Sequence, residues 1–263
     1  MVITFREHPR TVVSPGTRMP LLTTLDEKLA LLQQKGIDCV ALLDFNRAMS
    51  QMSARQFMQQ ILSERLGGRT LIVGYDHHFG RPQEGEGFEQ YCQYGKEVGL
   101  DVIAATECSA DLHISSTAVR KALAMGHVSE AALMLGRPYS LTGSVTRGQS
   151  IGRSIGFPTA NIRVNHPDKI LPRQAAYAVR AHVGNECMAG MLYIGNRPTI
   201  EGIDENRVEV HLLDFDRDIY DCNVTVEFLH HLRDEQHFDS IDALRLQLTK
   251  DCARVRHLVC STT

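Results

Sequence analysis

The chain changes its rhythm near residue 125, and this change limits the folds that it can adopt. Before that point, short apolar runs alternate with segments of helical periodicity. The apolar runs are typical of buried parallel strands and cover residues 2–5, 39–43, 71–74 and 102–105. The helical segments between them cover residues 24–35, 54–66 and 88–98. Repeated βα units predict an open, doubly wound parallel sheet, in which ligands bind beyond the carboxyl ends of the strands.

Strands dominate after Arg137. Their length and spacing predict a small antiparallel barrel with strands at residues 139–145, 176–183, 188–194, 208–213 and 223–228. A helix over residues 240–259 ends the chain. Its apolar residues recur at steps of three and four, which predicts a face that packs on the barrel: Ile241, Leu244, Leu248, Cys252, Val255 and Val259.

Composition narrows the class of protein. The 263 residues suffice for two domains, and the net charge of −3 provides no basic field to attract nucleic acid. No apolar stretch approaches the roughly 20 residues that span a bilayer, so no membrane partner is expected. The seven cysteines are scattered without a C-x-x-C pair, which favours reduced thiols and a cytoplasmic location. Nothing in the sequence indicates the oligomeric state.

A glycine-rich run lies between two strand-like stretches. Gly148, Gly152 and Gly156 precede Thr159 and Asn161. Glycines let the backbone approach a bulky anion, and successive free N–H groups form an anion nest. The Thr159 hydroxyl and the Asn161 amide are hard oxygen donors of the kind that a phosphate-bound Mg²⁺ accepts. The pattern indicates a nucleotide phosphate site without a Walker A lysine, although glycine spacing alone also fits a β-turn region.

The string from Gly152 to Asn161 resembles a known family. The pattern GR-x-x-GFPTAN is similar to the riboflavin kinase module of the bacterial bifunctional riboflavin kinase/FMN adenylyltransferase family, also called FAD synthetase. Four further segments resemble that module in order: residues 195–199, 208–215, 218–220 and 232–238. The resemblance implies that ATP phosphorylates riboflavin to FMN, with Mg²⁺ as cofactor and small molecules as the partners.

The resemblance also implies roles for individual residues. Glu209 is the implied catalytic base, and strand alternation predicts that it faces the substrate side with His211 while Val208 and Val210 face the other side. An exposed strand carboxylate is the alternative. The implied nucleotide-binding residues of this module are Gly148, Gly152, Arg153, Gly156, Thr159 and Asn161, of which Thr159 and Asn161 also hold the metal. The implied flavin-binding residues are Arg197, Asp218, Tyr220 and Arg233, with Arg233 expected to order the flavin-side loop.

The first half resembles the FMN adenylyltransferase module of the same family, a nucleotidyltransferase-like fold. Segments 4–9, 74–80 and 114–120 carry this resemblance. In the last segment, the hydroxyls of Ser115, Ser116 and Thr117 and the guanidinium of Arg120 are expected to bind a triphosphate at a helix N-terminus. A serine-rich helix cap is the alternative. Residues 1–134 are therefore expected to form the FAD synthetase domain and residues 135–263 the riboflavin kinase domain.

One motif of the family is absent from the 263 residues. They contain no H-x-G-H, which in the family follows the first strand of the sheet. Since that strand is usually central, its absence is expected to leave unpaired N–H and C=O groups and a weakened first domain. Little FAD synthesis is expected. Two alternatives remain open: a longer native protein with both activities, and a catalytically silent flavin-binding protein.

Overall fold

The chain folds into two compact units. The computed structural model describes residues 1–14, 16, 19–74, 86–106, 114–148, 151–197 and 205–260. One unit comprises Met1–Met19 with Leu25–His113, and the other comprises Pro20–Thr24 with Ile114–Thr263. The division at residues 134/135, which concerns the family's domains, stays a prediction. No helix in the described part of the chain has the length and apolar character needed to cross a bilayer.

The described residues of the first unit form four parallel strands in two pairs. Strand β1 (Val2–Phe5) pairs with β2 (Val40–Leu43), and β3 (Thr70–Val73) pairs with β4 (Asp101–Ala104). Within the described residues, no strand pairing joins the two pairs. The parallel pairing confirms the predicted fold class.

Short helices surround these strands. They are α1 (Pro9–Val13), α2 (Leu25–Gln34), α3 (Arg47–Ser50), α4 (Ala54–Gln56) and α5 (Phe88–Val98). A π-helix, Phe57–Arg65, follows α4, so the helical segment predicted over residues 54–66 is confirmed as helical, with π-type hydrogen bonding beyond Gln56. Its buried residues Phe57, Met58, Ile61 and Leu62 fit either helix, because the sequence records which positions are apolar and not which carbonyl each N–H reaches.

The second unit is built on a closed barrel of six antiparallel strands. The strands are β5 (Tyr139–Thr146), β6 (Ala160–Val164), β7 (Ala175–Val183), β8 (Glu186–Arg197), β9 (Glu205–Leu212) and β10 (Asn223–Asp234). Their order around the barrel is β10-β5-β6-β9-β8-β7. The predicted antiparallel barrel is confirmed. Strand β6 was missed, because its residues belong to the motif that was interpreted as a binding loop.

Alternate residues of the strands fill the barrel. Tyr177 and Phe228 are fully buried there, with ring centroids 5.3 Å apart in an edge-to-face arrangement. Two helices, α6 (Ser116–Ala124) and α7 (Val128–Leu135), add Leu123 and Ala131 to the same core. This packing explains why residues 114–134 belong to the second compact unit.

The C-terminal helix α9 (Ile241–Cys260) covers part of the outer barrel surface. Val255 and Val259 are buried against Ala176, Ala178 and Met191, which lie on the outer face of β7 and β8. Most of the predicted apolar stripe is confirmed by this contact. Ile241, in the first turn, is the exception, because it is 64% exposed.

Candidate active site

A cross-strand row on the outside of the barrel brings several predicted residues together. Neighbouring strands align its members in the order Thr146, Asn161, Glu209, Tyr193, Ala176 and Arg233. Residues directly opposite each other in antiparallel strands point to the same face, with Cβ atoms about 4.5–5.5 Å apart. Asn161 and Glu209, which are far apart in sequence, are therefore immediate neighbours.

The burial pattern of β9 confirms which way Glu209 points. Val208 and Val210 are buried in the barrel core, as alternation predicted. Glu209 lies on the outer face, yet its side chain is only 12% exposed. The carboxylate is thus largely removed from water although it is outside the barrel, and the freely exposed carboxylate of the alternative interpretation does not describe it.

The glycine-rich segment folds against the Thr-Ala-Asn segment. A Cβ atom at Gly148 would lie 2.1 Å from Nδ2 of Asn161, so a larger residue there would displace the Asn161 side chain. Helix α8 (Ile151–Ser154) follows, and the Phe157 amide donates to the Gly152 carbonyl at 2.8 Å. Gly156 closes this turn with a φ of +86°, in the left-handed region that favours glycine.

A cavity of about 470 Å³ adjoins this loop. It is lined by Arg153 and Thr159, predicted as nucleotide-binding, and also by Asp218 and Tyr220, predicted as flavin-binding. Asp218 Oδ1 accepts a hydrogen bond from the Tyr220 amide at 2.9 Å, which fixes this turn. The guanidinium of Arg147, which sequence reasoning did not identify, lies 5.3 Å from the centre of the Tyr220 ring.

His211 connects strand β9 to the loop. Its Nδ1 donates to the Pro158 carbonyl at 2.8 Å, and its ring makes an edge contact with Phe157 at 5.4 Å. This places Thr159 next to a fixed point on β9. Alternation predicted the direction of His211, but nothing in the sequence indicated that it bonds Pro158.

Glu209 has a cationic partner that sequence reasoning also missed. Arg207 Nη2 lies 2.5 Å from Glu209 Oε1. On the neighbouring strand β8, Tyr193 donates its hydroxyl hydrogen to Glu235. Burial, together with this hydrogen bond, raises the pKa of Tyr193 to about 12, so the phenol remains a neutral donor at physiological pH.

The structure uses Arg233 to hold the C-terminal helix. Its Nε donates to Asp251 of α9 at 2.8 Å, and Gln247 donates to the other oxygen of Asp251 at the same distance. Asp251 is 5% exposed and Arg233 is 15% exposed, which makes this a buried ion pair. The backbone of Arg197 ends β8, while its side chain lies outside the described residues, as do residues 198–199.

The predicted triphosphate segment begins helix α6. Ser115 is the N-cap residue, and its hydroxyl accepts from the Ala118 amide at 3.2 Å. Ser116 and Thr117 are exposed in the first turn, while Nε of Arg120 donates to the Pro20 carbonyl at 2.8 Å. The helix N-terminus is confirmed, and phosphate binding there stays a prediction. The predicted segment 74–80 falls outside the described residues after Gly74.

The donors around the glycine loop fit a phosphate-bound Mg²⁺. Thr159 and Asn161 offer one hydroxyl and one amide oxygen, and Mg²⁺ is commonly held by one or two protein groups plus phosphate oxygens. Among the described residues, no cluster of three His, Cys, Asp or Glu could form a cage made of protein alone. A site shared with the phosphates of a nucleotide is the arrangement that these donors suit.

Comparisons with known proteins show which proteins this chain is similar to. The riboflavin kinase family matches residues 135–259, and the FAD synthetase family matches residues 1–118. The bifunctional riboflavin kinase/FMN adenylyltransferase of Escherichia coli K12 is 36% identical over 253 residues, which cover 95% of this chain and 80% of that protein. The Pseudomonas fluorescens protein of the same name is 37% identical over 258 residues, with 98% and 82% covered.

A solved structure is similar along almost the whole chain. It comes from Streptococcus pneumoniae and is described as a macrolide-efflux protein. The TM-score is 0.86 at 29% identity, and the match covers 97% of this chain and 82% of the other. The two family matches and the relatives together show that the chain belongs to the bifunctional riboflavin kinase/FMN adenylyltransferase family.

Proposed function

We propose that the barrel unit transfers the γ-phosphoryl group of ATP to the terminal ribityl hydroxyl of riboflavin, giving FMN and ADP. The observation that carries this proposal is the adjacency of Asn161 and Glu209 in the cross-strand row. It puts a candidate phosphate-side ligand and a candidate base on neighbouring strands. A phosphoryl acceptor between them would meet both groups.

Glu209 is proposed as the base. The riboflavin hydroxyl oxygen forms a bond to the γ-phosphorus, the bond from that phosphorus to the β–γ bridging oxygen breaks, and ADP leaves. The hydroxyl proton passes to the Glu209 carboxylate. An alcohol is a poor nucleophile at neutral pH, so a positioned base is worth about 10²–10⁴-fold in rate.

Thr159 and Asn161 are proposed to hold Mg²⁺ together with ATP phosphates. When bound there, the ion would neutralise charge on the phosphoryl oxygens, and charge neutralisation together with positioning is what phosphoryl transfer mainly requires. Gly148 leaves room for the Asn161 amide, because a Cβ there would collide with it. Gly152, Arg153 and Gly156 complete the proposed phosphate cover.

The flavin contacts are proposed on strands β8 and β10 and on the segment that precedes β10. Arg197, Asp218, Tyr220 and Arg233 remain the candidates. Asp218 and Tyr220 share a cavity with Thr159, so whichever substrate fills that cavity lies beside the phosphate loop. The proposed role of Arg233 is indirect, because its buried ion pair with Asp251 fixes helix α9 against strand β10.

Adenylylation of FMN to FAD is the second candidate activity. The FAD synthetase match over residues 1–118 favours it, and the α6 N-terminus with Ser115 and Arg120 is the proposed triphosphate site. A cytoplasmic location is also proposed, and the free thiols of the described cysteines 39, 92, 187, 222 and 252 support it.

The test compares two carboxylate-to-amide variants. Glu209→Gln should lower FMN formation by at least about 100-fold while riboflavin affinity, measured by quenching of flavin fluorescence, stays within about twofold. Glu227→Gln is the matched control, because Glu227 also lies on a barrel strand and pairs with an arginine, Arg180, at 3.3 Å. Full activity in Glu209→Gln would contradict the base assignment. A wild-type chain that binds flavin but forms no FMN would favour the silent binding protein.

A further inference from the structure

We propose that Arg207 is a positioning residue for phosphoryl transfer, acting through the carboxylate of Glu209. The inference rests on the proposed role of Glu209. It comes from one contact, the 2.5 Å separation of Arg207 Nη2 and Glu209 Oε1, and from the surroundings of that contact. The resemblance and the residue pattern did not indicate Arg207.

The backbone explains why these two side chains meet. They are two residues apart on β9, so strand alternation puts both on the outer face of the barrel while Val208 between them is buried inside. Across β8, the residue opposite Arg207 is Gly195. A Cβ there would lie 2.3 Å from the Tyr193 hydroxyl oxygen, so the glycine leaves room for the Tyr193 ring beside the pair.

The two residues opposite Glu209 on the neighbouring strands have other roles, so we assign the orientation of its carboxylate to Arg207. Tyr193, opposite on β8, donates its hydroxyl to Glu235. Asn161, opposite on β6, is the proposed metal ligand. Within the described residues, Glu209 forms its ion pair with Arg207.

Burial allows the Arg207–Glu209 ion pair to restrict the orientation of the Glu209 carboxylate. An exposed ion pair holds its partners weakly, but the Glu209 side chain is 12% exposed and that of Arg207 is 34% exposed. A largely desolvated carboxylate with one oxygen engaged has few orientations available. The pair occupies Oε1, so that Oε2 is presented to the substrate hydroxyl. Proton acceptance requires this orientation, whereas binding of ATP does not.

The inference predicts a specific kinetic pattern for Arg207→Gln. Loss of orientation should lower kcat for FMN formation by about tenfold and leave KM for ATP within about twofold, because a group that misplaces a reacting atom affects the chemical step. Arg207→Lys keeps a cation and should recover most of the lost kcat. Arg180→Gln is the matched control, since it removes another strand arginine paired with a glutamate, and kcat should stay within about twofold.

A double-variant cycle separates positioning from a general effect on the fold. In a Glu209→Gln background, Arg207→Gln should cause no further loss, because the group through which it acts is already gone. A further tenfold loss in that background, or an unchanged kcat in Arg207→Gln alone, would overturn the inference. If Glu209→Gln abolishes turnover while Arg207→Gln does not change it, only this inference fails. If Glu209→Gln is fully active, the proposed base and the inference fail together.

Discussion

The substitution Gly148→Ala should disable the site without unfolding the barrel. A Cβ at residue 148 would lie 2.1 Å from Nδ2 of Asn161 and 2.8 Å from its Cγ. Ordinary van der Waals contact begins near 3.4 Å, so the amide must move by about 1.3 Å. The backbone at Gly148 does not have a left-handed φ, so alanine can adopt the same conformation there.

The substitution should lower the rate of FMN formation, because the displaced Asn161 amide is a proposed metal ligand. A misplacement of about 1 Å costs on the order of 100-fold in rate, equivalent to about 3 kcal/mol in the activation free energy. The Asn161 amide is the end of a flexible side chain and can move without shifting the strand. The melting temperature should therefore change by no more than about 2 °C, far less than a core substitution causes.

The assay is steady-state FMN formation at saturating riboflavin with varied ATP and Mg²⁺. Gly143→Ala is the matched control on β5, because its Cβ would lie 2.5 Å from both the Arg163 carbonyl oxygen and Cγ2 of Ile162. That variant should lower the melting temperature instead. A Gly148→Ala enzyme with kcat/KM within about threefold of wild type would refute the reasoning, since it would show that the position of the Asn161 amide does not matter.

Three further outcomes are expected. Asp251→Asn leaves the buried Arg233 without its carboxylate and should lower the free energy of unfolding in urea by about 3 kcal/mol, whereas a loss under about 1 kcal/mol would mean that the pair is unimportant. Thr159→Ala should raise the Mg²⁺ concentration that half-saturates FMN formation several-fold, and an unchanged titration would contradict its role as a ligand. The Arg256 guanidinium holds the pKa of Asp214 below its ordinary value, so Arg256→Gln should raise that pKa in a carboxyl NMR titration. No change would show that the pair is not formed in solution.

Features with a short period were predictable from the sequence. The alternation of Val208, Glu209 and Val210 sets which side of the barrel each residue faces, because a strand has a period of two. The apolar stripe of α9 likewise predicted Val255 and Val259 as its buried contacts. In both cases the signal is local.

Features that depend on distant parts of the chain could not be predicted. The register that places Asn161 beside Glu209 joins positions 48 residues apart, and it is a property of the closed barrel. The Arg207–Glu209 pair needs side-chain conformations that no spacing specifies. Helices α6 and α7 join the barrel core through Leu123 and Ala131, which are typical core residues anywhere in a protein.

Strand β6 was not predicted, because it overlaps the glycine-rich motif that ends at Asn161. Residues 160–164 alternate apolar and polar side chains as a strand does, but the interpretation of the motif as a loop took precedence. Asn161, the proposed ligand, is therefore anchored within the barrel, and the proposed phosphate-covering segment is the one that precedes it. A site on a strand is held more rigidly than one on a loop, which suits a group that must bind a metal.

A chromatographic assay that resolves riboflavin, FMN and FAD tests the central claim most directly. The chain would be incubated with ATP and Mg²⁺ and with riboflavin supplied in both oxidised and reduced form. The account predicts that FMN accumulates. The absence of FMN under both conditions, from a chain that unfolds cooperatively, would contradict it.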